Sequence, residues 1–194
     1  METILYYTTI TILTTIVTLA YCSIFEWSLH RFVMHRPFFG FTYAFQAHTQ
    51  VHHNIFKADD SYHLKDEKTK KTIPMAWWNG PVLVFLSSIP FDMVGWWFGT
   101  WSVPVVSVVV ISAYYGTYEY LHWCMHLPKE RKLEYSKIFR RLNGHHILHH
   151  RYQRSNFNVV LPLADLLFGT LLLRAKAPFT QPKGVGVPNV QPLT

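Results

Sequence analysis

Twelve of the 194 residues are histidine, and eleven of them fall into four tight groups. These are His30 with His35, His48 with His52 and His53, His122 with His126, and His145-His146 with His149-His150. Imidazole nitrogens bind mid-row metals, at about 2.0–2.1 Å for zinc. An all-imidazole set suits iron, zinc or copper rather than magnesium or calcium, which prefer oxygen. Residues four apart on a helix share a face, with Cβ atoms about 5–6 Å apart. The pairs 48/52, 122/126, 145/149 and 146/150 have that spacing, so they can converge on a shared centre. His30 and His35 are five apart and point about 140° from each other on a regular helix. Both can bind metal only if the helix ends, bends or bulges between them, and Pro37 and Gly40 favour an ending helix. The same concern applies to His48 and His53. One ion takes four protein ligands, or at most six. Ten clustered histidines therefore point to two ions, with neighbouring histidines reaching different ones.

A metal-bound imidazole usually has its other nitrogen held by a carboxylate or carbonyl. Glu26 lies one turn before His30, Glu119 lies one turn before His122, and Asp165 sits in an apolar stretch. These three carboxylates are the expected partners. Two histidines are weaker metal candidates. His63 stands alone among Asp59, Asp60 and Lys65, and His145 precedes the last cluster. Of the two cysteines, Cys22 lies in an apolar run and Cys124 between two histidines. Neither belongs to a C-x-x-C pair or a disulfide framework; Cys124 reads as a small packing residue.

The elements that position these groups are apolar. Residues 3–25 carry no charge over 23 positions, enough to cross a hydrocarbon core of about 30 Å at 1.5 Å per residue. A cleavable leader needs a basic start and a shorter apolar core; here the start carries Glu2 and no cation, so an uncleaved span is expected. A second apolar stretch, from about Trp78 to Tyr120, divides near Phe98-Gly99-Thr100 into two helices, with a kink or early exit expected near Pro90 and Asp92. Trp77 and Trp78 mark one end and Trp96, Trp97 and Trp101 the other, as aromatic belts do. All 18 Lys and Arg fall in 31–71 or 129–183. The positive-inside rule then puts 31–77 and 129–194 in the cytosol, together with every histidine. The segment 160–173 is too short to span and is expected to be a buried or interfacial helix, with an extended tail after Lys176. The net charge of +7 reads as facing anionic headgroups, not nucleic acid.

The expected fold is therefore all-α: a multi-pass membrane helical bundle of about three spans, with a cytosolic histidine-rich helical cap holding a dinuclear metal site. Its parts are an N-terminal transmembrane helix (1–29), a first cytosolic histidine segment (30–77), a transmembrane hairpin (78–121), a second histidine segment with an interfacial helix (122–176), and a tail (177–194).

Over about residues 22–174 the chain resembles the fatty acid hydroxylase/sterol desaturase superfamily of membrane di-iron enzymes. The resemblance rests on the ordered boxes H-x3–4-H, H-x2–3-H-H, H-x3-H and H-x2–3-H-H. Glu26-WSL-His30-Arg31-Phe32-VM-His35 is similar to the first. His146-IL-His149-His150, followed by Asn156-Phe157-Asn158 and Asp165-LLF-Gly169-Thr170, is similar to the last with its trailing signature. The resemblance implies two iron ions, O2 as co-substrate, and hydroxylation or desaturation of a long-chain lipid of fatty acyl, sphingolipid or sterol type. The implied ligands are His30, His35, His48, His52, His53, His122, His126, His146, His149 and His150. It also implies a separate electron donor of cytochrome b5 or ferredoxin type, since the chain has no room for a fused one. Zinc could replace iron in a purified sample. Carotenoid-type ring hydroxylases share related boxes. A metal transporter would carry histidines at mid-depth, yet 3–25 and 78–117 hold none. A zinc hydrolase would need a motif such as H-E-x-x-H, which is absent.

Overall fold

The computed structural model describes residues 1–129 and 131–175, and among them it is all-helical, with no strand beyond an isolated bridge between Phe38 and Phe41. In chain order the α-helices are α1 (Glu2–Leu29), α2 (Tyr43–Phe45), α3 (His53–Ile55), α4 (Asn79–Trp97), α5 (Ser102–His126), α6 (Lys137–Arg151) and α7 (Leu163–Leu167). Two π-helical segments interrupt this series. His30–Met34 continues α1, and Gln46–His52 joins α2 to α3. The proposed tail 177–194, with Lys176, lies outside the described residues.

Helix α1 tolerates its threonines because their hydroxyls bond back to the helix: Thr9 Oγ1 donates to Leu5 O and Thr15 Oγ1 to Thr11 O, both at 2.8 Å. The stretch Glu2–Met34 is long and apolar enough to cross a membrane, by length and composition, and is the one such helix among the described residues. Helix α5 lies against both α1 and α4. Helices α4 and α5 pack tightly at Gly95, where an added Cβ would sit 2.4 Å from Pro104 Cγ; a side chain there would force the helices apart. Between the three helices, Cys22, Phe91, Ile111 and Tyr114 form one buried cluster. A second, with Tyr62, Tyr118, Leu121, Cys124, Met125 and Phe139, sits under the histidines, so Cys124 is a packing residue. The outer faces remain apolar and exposed, including Ile12, Ile16, Phe85, Met93 and Val109. Such a belt cannot face water comfortably.

One expectation is narrowed here and one is corrected. Helix α4 makes no early exit at Pro90 and Asp92 but runs on to Trp97; Ser88 Oγ donates to Asp92 at 3.0 Å, which keeps that carboxylate bonded within the helix. The segment 160–173 is not a helix along its length. Only Leu163–Leu167 is helical. Asp165 turns inward, its oxygens accepting from the Phe157 and Asn158 amides at 3.0 and 2.7 Å, and Gly169 takes φ +67, which bends the chain back so that Thr170 N reaches Asp165 O. The segment is a stapled loop whose Leu166, Leu167 and Phe168 stay exposed.

Candidate metal centre

The five-residue spacing of His30 and His35 is resolved by backbone geometry. A π turn bonds residue i to i+5, and His35 N donates to His30 O at 3.1 Å. The cap of the second π segment is the same: His53 N bonds to His48 O. Both histidine pairs five apart therefore face a common centre.

Ten histidines form two sets of five. One contains His30, His35, His48, His53 and His149; the other contains His52, His122, His126, His146 and His150. Within each set the ligand atoms lie within 4.8 Å of one another. The sets adjoin, with the rings of His53 and His150 stacked at 4.2 Å between centroids. Helix α6 and the composite helix 43–55 supply both sets; the end of α1 supplies only the first and the end of α5 only the second.

This arrangement corrects the simple pairing by four. His122 and His126 share a set, as do His146 and His150. His48 and His52 do not, because the π segment gives His48 its partner at His53 and turns His52 to the other side. His145 and His149 do not pair either: His145 is buried but outside both sets, and its Nδ1 has no hydrogen-bond partner. His63 is exposed and also outside them, with its ring against Tyr62.

Five of the ten rings are held by backbone carbonyls, not by the expected carboxylates, while the buried Nδ1 atoms of His53 and His146 have no hydrogen-bond partner. The Nδ1–H groups donate from His30 to Phe157 O (2.5 Å), from His126 to Tyr62 O (2.8 Å), from His149 to Ser155 O (2.8 Å), from His150 to Phe56 O (2.5 Å) and from His52 to Thr72 O (3.2 Å). For His35 the partner is Thr49. The Thr49 hydroxyl gives its proton to Met34 O at 2.7 Å, so its oxygen accepts from His35 Nδ1 at 3.2 Å. Glu26, Glu119 and Asp165 stand one layer further out. Glu26 accepts from Tyr114 Oη (2.6 Å), Val159 N (2.6 Å) and Asn158 Nδ2 (3.1 Å). Asp165 holds the Phe157 amide, and thereby the loop whose carbonyl holds His30. Glu119 accepts from Tyr115 Oη at 3.0 Å and from the Met75 amide. Asn156, at φ 54, bonds His145 O and Leu172 O through Nδ2 and accepts from Leu172 N. Carbonyl partners leave no trace in residue type, so sequence reasoning could not find them; the Asn156-Phe157-Asn158 run was the available signal.

With Nδ1 protonated, each of these neutral rings leaves Nε2 as a bare acceptor. His35 Nε2 and His149 Nε2 face each other at 3.0 Å with both Nδ1 protons engaged elsewhere. Two lone pairs at that distance repel unless a cation lies between them. The separation also fits: two nitrogens about 2.0–2.1 Å from one ion at right angles are about 2.8–3.0 Å apart. Other Nε2 pairs lie at 2.8 Å (His30–His48), 3.0 Å (His48–His53) and 3.0 Å (His126–His146). Burial, reinforced by neighbouring imidazoles, holds His48, His146, His149 and His150 well below the usual histidine range and His35 down to about 2. The rings are thus kept in the neutral form that metal binding requires.

Beside the two sets lies a mostly apolar cavity of about 530 Å³. His48 of the first set and His52 and His122 of the second line it, with Met34, Ile73 and Tyr118. Phe41, Tyr43, Lys71, Trp78 and Asn79 also line it. Trp27, inside the first box, is a core residue that donates through Nε1 to Thr170 Oγ1 at 2.8 Å and lines no part of this cavity.

The chain matches the family model for fatty acid hydroxylase over residues 15–170. It belongs to that family, within the fatty acid hydroxylase/sterol desaturase superfamily, whose members are membrane-associated, use metal and are typically oxidoreductases. No curated protein and no solved structure matches it.

Proposed function

From this membership and the two five-histidine sets, we propose that the protein is an O2-dependent di-iron hydroxylase or desaturase of a long-chain lipid. The observation that carries the reading is that both sets open onto one apolar cavity: His48 from one and His52 and His122 from the other share a wall. The ten histidines of the two sets would hold two iron ions, which when bound supply the O2 reduction and hydrogen abstraction that no side chain can perform. The protein's own part is positional. Six Nδ1–H bonds lock ring orientation. The apolar walls keep water from the reacting carbon, and the cavity holds a hydrocarbon chain beside the histidines. The electrons come from a separate donor of cytochrome b5 or ferredoxin type.

The proposed setting is a multi-pass one, with α1, α4 and α5 in the bilayer and the histidines on the cytosolic side. The exposed apolar faces of the three helices and the confinement of Lys and Arg to the histidine end support it. The test is comparative lipidomics of cells expressing the protein or its His149→Ala variant, with reductant and iron supplied. A lipid gaining a hydroxyl or a double bond only with the unmodified protein is the expected result. Equal product from the two would overturn the site, and no product under any iron-loaded condition would overturn the oxygenase reading.

A further inference from the structure

A second, smaller and partly open apolar pocket of about 60 Å³ lies among α1, α4 and α5. Leu29, Met34, Met75, Leu83 and Tyr118 line both it and the larger cavity, so the two are neighbouring compartments across one collar of side chains. Past the collar the slot is lined by Cys22, Phe25, Ser87 and Ile111. One helical turn beyond Ser87, Phe91 meets Tyr21 edge-on, with ring centroids 5.2 Å apart, across α4 and α1. The polar side chains of the deep part are bonded to protein. Glu26 accepts from Tyr114, Val159 and Asn158, and Ser87 Oγ donates to Leu83 O at 2.5 Å. Water would find few partners there, and so apolar a lining favours apolar guests.

We propose that this slot seats the far end of the substrate's hydrocarbon tail. The proposal rests on the lipid-oxidation reading above and gives it a direction. The head sits at the polar side of the large cavity, near Tyr43, Lys71 and Asn79. An internal carbon lies beside His48, His52 and His122. The remaining tail passes the Leu83–Tyr118 collar and ends between Cys22, Ser87 and Ile111, against the Tyr21–Phe91 pair. Oxidation is then within the chain and not at its end. The length of tail beyond the oxidised carbon is set by Ser87 and Ile111.

The test is photolabelling of the full-length protein in phosphatidylcholine vesicles, using a long-chain fatty acid with a diazirine at its terminal carbon. The expected result is label localised by fragment sequencing to the Cys22 and Ile111 side chains, above the level at the lipid-facing Val17 and Val109. Ser87→Phe, which fills the slot, cuts that slot labelling roughly tenfold or more, the discrimination that misfit in an apolar pocket gives, and leaves Val17 and Val109 unchanged. Ile111→Trp, which fills it from α5, does the same, so misfolding of one variant leaves the other to decide. Slot labelling no higher than at Val17, or unaltered by both substitutions, overturns the proposal. This readout needs neither metal nor turnover. If lipid is oxidised but labelling avoids the slot, only the tail assignment fails; if the slot is labelled but nothing is ever oxidised, only the oxygenase reading fails.

Discussion

Replacing Asp165 separates positioning from bulk stability more cleanly than replacing a histidine does. Asp165 is wholly buried and accepts from Phe157 N (3.0 Å), Asn158 N (2.7 Å) and Thr170 Oγ1 (2.6 Å). Asp165→Ala leaves two buried amides unpaired, at about 1–3 kcal/mol each, so about 2–6 kcal/mol in all. Set against a typical total of about 5–15 kcal/mol, that variant can fail to fold. Asp165→Asn keeps one acceptor oxygen and the side-chain shape, and should cost about 1–3 kcal/mol. Its second effect is directional. The Phe157 carbonyl that orients His30 belongs to the residue whose amide Asp165 holds. Loss of such outer partners lowers metal affinity about 10–100-fold, and here only in the set containing His30. The assay is iron content per chain, with chelator competition, on folded Asp165→Asn and unmodified protein. One ion should become easy to remove while the other is unchanged. Equal weakening of both ions, or reduced thermal stability with both affinities intact, would refute the chain of positioning from Asp165 through Phe157 to His30.

Thr49→Val removes the acceptor for His35 Nδ1 and the hydroxyl bond to Met34 O with little change in shape. Affinity at the first set should fall about 10–100-fold in the same competition assay; no change would mean that His35 needs no such partner. At Glu134, burial would raise the carboxyl, but the Lys129 amide and the Arg131 guanidinium outweigh it and hold it below its ordinary value of 4.5. A carboxyl with a depressed folded value stabilises above its unfolded value, and that stability is lost as pH falls through the folded one. Hydrogen exchange at residues 131–135 should therefore quicken as pH drops below about 4.5, after correction for intrinsic exchange. In Glu134→Gln it should be fast already at neutral pH; identical profiles would exclude the carboxylate.

The four histidine groups and the five-residue anomaly were legible in the chain because residue type and spacing survive without a structure. The demand for a helix irregularity between His30 and His35 came from angle alone, and a π turn meets it. The same turn at Gln46–His52 defeated the pairing by four, because a local change of helical pitch decides which of His52 and His53 joins His48. Spacing cannot report pitch. The carboxylates Glu26, Glu119 and Asp165 were visible as acids near the boxes, but their task of holding loop and helix-end backbone was not. Carbonyls such as Phe157 O and Tyr62 O come from every residue type, and only the fold selects them. The segment 160–173 misled for a related reason. Its composition is that of a short apolar helix, yet the inward hydrogen bonds of Asp165 outcompete helix continuation.

The division of supply between the two sets makes one last consequence testable. Helix α6 and the composite helix 43–55 serve both sets, so they fix the sets relative to each other. The end of α1 brings only His30 and His35, and the end of α5 brings only His122 and His126. A lesion on a shared helix can disturb either set; a lesion on an unshared one should stay with its own. His30→Ala and His126→Ala should therefore each retain about one ion per chain of two, with the remaining ion belonging to the other set. Paired with Thr49→Val, His126→Ala should weaken both, while His30→Ala should leave only the second set to report. Metal analysis of the two single variants settles the matter. If either loses both ions together, the sets are one cooperative centre, and the helices that divide them in space do not divide them in energy.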